Sequence, residues 1–308
     1  MSQPRIVVGI DGSITARHAL DWAATECGRR GAELVIAHAG DAEPGPPPRP
    51  DTPTEFGRSL LAEAEVEVEV NGADCPVSTV IADEKPVQLL IRLSAQAELV
   101  VVGSHGLGRQ ASTLLGSVAF RVAAHARCPV VVVPQDWDEQ ANPARPVLVG
   151  IPASATARDP LHAAFAEAEL RGVPVHAVRT WSRVDWTDEL TNLIYATNRT
   201  FEARQQEYVD RVLEPVRALY PDVPVQTMLS GDRIENALRK AAEQASLLVL
   251  GSRYTAGHPH TRLGPITARL LRRMPCPVLV VGHTDSHVAP RATDSLRQPV
   301  GSDGGGTP

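Results

Sequence analysis

The 308-residue chain carries 30 lysines and arginines against 36 aspartates and glutamates, a formal net charge of −6, and this balance gives no basic face for nucleic acid. No run approaches the roughly 20 apolar residues a membrane helix needs, the opening Met1-Ser2-Gln3-Pro4-Arg5 has no apolar signal core, and the length suits two domains of about 150 residues. The cysteines, Cys27, Cys75, Cys128 and Cys276, form no C-x-x-C or metal-ligand cluster, so reduced structural thiols in a cytoplasmic protein are expected.

In chain order, "IVVGIDGS" (6–13) reads as a strand running into a turn. "ARHALDWAATECGRRG" (16–31) follows as a helix, with Ala19, Leu20, Ala23 and Cys27 on one stripe and Gly31 as its stop. The Pro-rich stretch 40–55 is expected to be a long surface loop. "FGRSLLAEAE" has helical periodicity, whereas "EVEVEV" (65–70) alternates like a strand, so the boundary between them stays open. "LVVVGSHGLGRQASTLLGSV" (99–118) then passes from a buried-strand run through Gly103, Gly106 and Gly108 to Gly116-Ser117, where the helical pattern "SVAFRVAAHA" opens. "CPVVVVP" (128–134) closes this half as another strand.

The pattern then recurs. "VLVGIPAS" (147–154) echoes residues 6–13 at a separation of 141, while "LLVLGS" (247–252) and "CPVLVV" (276–281) echo 99–104 and 128–133 at 148. One domain is therefore duplicated in tandem. The expected layout is domain 1 over 1–136, a linker at 137–145 within the polar segment 134–146, domain 2 over 146–284 and a disordered tail over 285–308. In the second copy, Asp232 and Glu235 make a capping box for "IENALRKAAEQA". Short apolar strands alternating with amphipathic helices predict α/β architecture: two tandem Rossmann-like domains, each an open, mainly parallel five-stranded sheet with helices on both faces.

The glycines of 103–117 admit two readings. A single G-x-x-G after a strand is usually a turn. The full pattern G-x2-G-x9-G-S, between a buried strand and a helix start, also suits an anion, because glycines let backbone N–H groups converge and a helix N-terminus adds unpaired donors. It is neither a P-loop nor a dinucleotide fingerprint. Asp11, in "DGS", reads equally as a turn residue.

With "VVGIDGS", "GSHGLG", Gly116-Ser117 and "CPVVVVP" in the first copy, residues 4–284 resemble the universal stress proteins, specifically the tandem-domain, ATP-binding kind. The resemblance implies that Gly9, Ile10 and Asp11 contact the nucleoside, with Asp11 bonding adenine or ribose, and that Ala39 touches adenine through its backbone. Gly103, Ser104, Gly106, Leu107, Gly108, Arg109, Gly116, Ser117 and Val118 would then surround ribose and phosphates, with Mg2+ held by the phosphates. His105 adds a further loop charge. The resemblance also implies pairing through the last strands, hence an intrachain pseudo-dimer and room for a homodimer.

In the second copy Pro152 stands for Asp11, Tyr254 for Gly106 and Pro265 for Ser117. These remove an acceptor, space and an N–H, so one ATP per chain, in domain 1, is expected. No catalytic residue or metal ligand is assigned, since the loop brings no carboxylate of its own for hydrolysis. The function implied is a nucleotide-dependent regulatory module of the stress response, with a slow ATPase or a scaffold that binds no nucleotide as alternatives.

Overall fold

The computed structural model describes residues 3–40, 53–106, 115–138, 144–151, 159–181, 191–252 and 263–282. The first half runs β1 (Arg5–Gly9), α1 (Ile14–Arg30), β2 (Glu33–Ala39), α2 (Pro53–Val70), β3 (Val77–Ala82), α3 (Pro86–Leu93), β4 (Leu99–Gly103), α4 (Ser117–His125) and β5 (Val130–Val133). The second half repeats it as β6 (Val147–Gly150), α5 (Asp159–Arg171), β7 (Val175–Thr180), α6 (Thr191–Leu219), β8 (Val225–Ser230), α7 (Ile234–Ala242), β9 (Leu247–Gly251), α8 (Pro265–Leu270) and β10 (Val278–Val281).

All ten strands form one sheet in the order β3-β2-β1-β4-β5-β10-β9-β6-β7-β8. Within each half the pairing is parallel; the halves join where β5 and β10 run antiparallel, Leu279 opposite Val131. These two strands therefore occupy each other's edges, and β3 and β8 are left at the rims. Every residue of β5 and β10 is buried, so side chains pointing to either face are covered, as in a sheet carrying helices on both sides.

The stripe expected on α1 is in the core: Ala19, Leu20, Ala23 and Cys27 are all buried, and Gly31 closes the helix in the left-handed conformation at φ 59°. One boundary left open is settled and two expectations are corrected. "EVEVEV" is the end of α2, because Leu61, Ala64 and Val68 share a buried helical face while Val66 and Val70 are exposed. α2 also begins at Pro53, inside the stretch expected to be loop, whose residues 41–52 lie outside the described ones. The cap of α7 is Arg233 rather than Asp232, without a side-chain cap bond. Asp232 instead accepts from the Arg233 N–H at 2.6 Å, and Glu235 pairs with Arg269 of α8 at 3.0 Å. Of the linker, Trp137 is tucked in and buried; residues 139–143, like the tail from 283 on, lie outside the described residues.

A buried ion-pair ring joins the halves. Arg30 binds Glu26 of its own helix and Glu167 of α5; Arg171 binds Glu167 of its own helix and Glu26 of α1. The four positions are the same two in each copy, 141 residues apart, so the ring straddles the approximate twofold axis of the repeat. Burial pushes the Glu26 carboxyl up, but the guanidinium groups of Arg171 and Arg30 outweigh it and hold the carboxyl below its ordinary range.

Candidate nucleotide site

From β1 the chain crosses to β2 on one side, and it later returns to β4 on the other. The carboxyl ends of β1 and β4 therefore flank a crevice at the point where strand order reverses, the position at which open α/β sheets bind ligands. Three segments meet there: the turn after β1, the loop after β4 and the N-terminus of α4.

The turn after β1 is held by its own polar groups. Ile10 donates its N–H to Ala37 at 2.9 Å, continuing the ladder one residue beyond the strand. Asp11 accepts the Ser13 N–H at 3.0 Å, Gly12 takes a φ of 87°, and Ser13 caps α1 by accepting from Ala16 at 3.2 Å. Gly12 is suited to that left-handed φ, which most other residues resist. His38 of β2 is buried, its Nδ1 2.9 Å from the Ile10 carbonyl oxygen. Ala39, at the end of the same strand, is half-buried.

Contacts with no room for a side chain tie the β4 loop to this turn. A Cβ on Gly103 would lie 2.7 Å from the Thr15 backbone, and one on Gly106 would lie 2.5 Å from an Asp11 carboxylate oxygen. A Cβ on Gly116 would come within 3.2 Å of the Ser104 carbonyl oxygen and 3.4 Å of the His105 Cα. Gly116 donates its N–H to Ser104 at 2.8 Å, which brings the start of α4 back to the end of β4. Thr15 donates its hydroxyl to the His105 carbonyl. Thus Gly9, Ile10, Asp11, Gly103, Ser104, Gly106, Gly116, Ser117 and Val118 gather at one end of the sheet, with Ala39 on the neighbouring strand. Leu107, Gly108 and Arg109 lie outside the described residues.

The donors left over face one way chemically. α4 starts from Gly116 with no side-chain cap, so the N–H groups of its first turn carry the partial positive charge of a helix N-terminus. His105 shares its Nδ1 with the Ser104 hydroxyl at 2.8 Å, while its Nε2 is buried and has no hydrogen-bond partner among the described residues. A buried ring nitrogen without a partner is costly and suits an acceptor-rich ligand such as phosphate. Thr15 and His105 are the residues that sequence reasoning missed or ranked low. Ser13 and Thr15 announce a helix start, but nothing in the spacing points from Thr15 across the sheet. A cavity of about 880 Å³ lies elsewhere, along α1 between His18, Asp21 and the turn after α2. The candidate site is defined by backbone donors and close glycine contacts, not by that cavity.

Among the described residues, the second copy repeats the frame. Ile151 donates to Val178 at 2.8 Å and Ser252 to Val281 at 2.9 Å, as Ile10 and Ser104 do in the first copy. Pro265 opens a six-residue α8, and Thr267 bonds the Gly251 carbonyl at 3.1 Å. Pro152 and Tyr254 lie outside the described residues.

The model of the universal stress protein family matches the chain twice, over residues 4–134 and 143–282. A universal stress protein of Mycobacterium tuberculosis is 35% identical over 298 residues, covering 91% of this chain and 99% of its own length. A second from the same species is 31% identical over 286 residues, covering 89% and 95%. Among solved structures, a universal stress protein from Archaeoglobus fulgidus superposes with a TM-score of 0.67 at 21% identity, over 91% of this chain and 97% of that one, a likeness of fold. The chain belongs to the universal stress protein family and carries two copies of the family's domain in tandem.

Proposed function

We propose that the first copy binds ATP at the β1/β4 crevice and that the protein works as a nucleotide-dependent regulatory module of the stress response. The observation that carries this reading is the close packing of Gly103, Gly106 and Gly116 against Thr15, Asp11 and the β4 loop, beside a helix start whose N–H groups no side chain caps. Gly9, Ile10 and the Ala39 backbone take the adenine side, and Asp11 accepts from ribose or adenine. The His105 Nε2 and the first N–H groups of α4 take phosphate oxygens, with Ser104, Leu107, Gly108 and Arg109 completing the loop. Mg2+ would be carried on the phosphates. A cytoplasmic location, where ATP is available, goes with this reading. Hydrolysis is slow at most, since residues 104–118 bring no carboxylate of their own to activate an attacking water.

The test is nucleotide release. Protein purified without added nucleotide is denatured, and the released ligand is identified and counted. One ATP per chain is expected. For protein freed of ligand, ATP at about 100 times its dissociation constant adds roughly 2.7 kcal/mol of stability, visible as a higher melting temperature, and Gly106→Tyr removes that response. Absence of nucleotide together with unchanged melting in ATP overturns the reading.

A further inference from the structure

The first turns of α2 lie beside the turn after β1. A Cβ on Gly12 would come within 3.7 Å of the Phe56 Cζ and 3.6 Å of the Leu60 Cδ1, which places Phe56 next to the residue that follows Asp11. The buried His38 pairs with it, ring centroids 6.2 Å apart and planes at 70°. The Ile10 carbonyl, 2.9 Å from the His38 Nδ1, can only accept, so that nitrogen carries its hydrogen and the imidazole is held in one orientation. Gly57 lets α2 come down onto the pair: it is buried, and a Cβ there would lie 2.7 Å from both the His38 Cδ2 and the Ile81 Cδ1. Packing thus fixes the start of α2, yet Phe56 is 53% exposed. Phenylalanine is among the side chains most often buried whole, and an edge-to-face pair with His38 covers one face of the ring at most.

The second copy closes the same corner. At the 148-residue separation that relates β4 to β9, Gln205 of α6 stands for Gly57 and Tyr208 for Leu60. Arg179, at the place of His38, lies over the Tyr208 ring at 4.8 Å and donates to Gln205 at 3.1 Å. There a cation of the copy's own sheet covers the aromatic ring. In the first copy the aromatic ring is left open, beside the turn that the nucleotide reading puts against the nucleoside.

We infer that Phe56 is the stacking wall of the nucleobase site and gives it a preference for purines. The inference rests on the reading of the β1/β4 crevice as a nucleotide site. Every base has a π-face, so stacking on an aromatic side chain tolerates any of them. A two-ring purine nevertheless covers more of the phenyl ring than a one-ring pyrimidine, and the gain follows the apolar area covered. Phe56 therefore favours ATP over CTP, and the phosphates are left to the β4 loop and the start of α4.

Full-length protein freed of ligand is titrated with ATP, CTP and inorganic triphosphate, as wild type, Phe56→Ala and Phe56→Trp. In Phe56→Ala the affinity for ATP falls roughly 5- to 150-fold, the range of one lost base stack. Its affinity for triphosphate stays at the wild-type value, and its preference for ATP over CTP shrinks. Phe56→Trp keeps the wild-type affinity for ATP. The emission of its added tryptophan, read against the four of the wild type, is quenched by ATP and not by triphosphate, and this signal decides the matter even where Phe56→Ala fails to fold. Equal losses for ATP and triphosphate, an unchanged ATP affinity in Phe56→Ala, equal wild-type affinities for ATP and CTP, or no quenching in Phe56→Trp overturns the role of Phe56 and leaves ATP binding by the wild type standing. A wild type that binds neither ATP nor triphosphate overturns both readings.

Discussion

The two copies differ at the carboxyl ends of their strands and agree where they touch each other. At the end of β4, Thr15 of α1 reaches the His105 carbonyl and α4 begins with an ordinary N–H. At the end of β9, Thr267 caps the strand from within a short helix that begins with proline. On the second strand, His38 packs edge-on to Phe56 at 6.2 Å, whereas Arg179, at the matching place in β7, lies over Tyr208 at 4.8 Å and donates to Gln205. The Glu26, Arg30, Glu167 and Arg171 ring, in contrast, uses the same residues from both halves. An interface between two copies requires both to stay alike, since each charge is satisfied by the other copy. A ligand site requires only one.

Breaking the shared part should have the largest effect. Glu26→Gln leaves Arg30 and Arg171 buried with Glu167 alone, and removing one member of a buried pair costs about 3–5 kcal/mol. The midpoint of urea unfolding should fall accordingly, and Glu167→Gln should cost a similar amount. The two together should cost less than their sum, because they belong to one network. The sign with pH follows from Glu26, whose folded pKa is lowered. Its contribution is present above the ordinary glutamate value, about 4.3, and is lost as pH falls through the lowered folded value. Wild type and Glu26→Gln should therefore converge in acid. An equal gap at pH 7 and pH 3 would refute the assignment.

The matched glycines at the ends of β4 and β9 sharpen the contrast. On Gly103 a Cβ meets the Thr15 backbone at 2.7 Å, and on Gly251 it meets the Pro160 side chain at 2.8 Å. Backbone cannot step aside within a helix turn, while a proline ring can pucker away. Overpacking of this kind costs about 1–3 kcal/mol. Gly103→Ala should sit at the upper end of that range and weaken ATP binding by shifting Thr15 and His105; Gly251→Ala should sit at the lower end and leave ATP binding untouched. Urea unfolding and ATP titration of both variants read the difference, and equal losses in the two would remove the reason for treating the ends as distinct.

Much of the frame was legible in the sequence because it rests on repetition and on runs of buried residues. "LVVVG" and "LLVLG" are strands in matching places, and the stripe of α1 is buried as its spacing requires. The boundary at "EVEVEV" stayed open because three valines alternate like a strand, whereas the helical face through Leu61, Ala64 and Val68 buries three side chains at once. The capping box failed by a single residue, since Asp232 found nearer partners in the Arg233 N–H and Asn236. At the candidate site, the glycines were readable because the lack of a side chain is a local property. The Thr15 contact to His105, the unpartnered Nε2 and the ring between α1 and α5 were not, because each joins residues that only the crossing of β1 and β4, or of one copy with the other, brings together.

The smallest expected effect separates the ligand site from the fold it sits on. In the second copy Gly264 has φ −63° and ψ 155° ahead of Pro265; in the first, Gly116 has φ −63° and ψ 148° ahead of Ser117. The backbone before α4 is thus already in the extended region that a following proline requires, and the first helical position accepts proline without strain because its N–H has no partner within the helix. Ser117→Pro should leave the unfolding midpoint of the ligand-free protein nearly unchanged. It removes one donor from the proposed phosphate cradle, and a hydrogen bond to a charged group contributes about 1.5–3 kcal/mol. ATP affinity should therefore fall roughly 10- to 100-fold, with the remaining donors still holding the nucleotide. Titration of the folded variant with ATP, beside a reciprocal Pro265→Ser that should gain no affinity, measures this donor alone. An unchanged affinity in Ser117→Pro would mean that the start of α4 faces no phosphate, and the candidate site would shrink to the turn after β1 and the loop after β4.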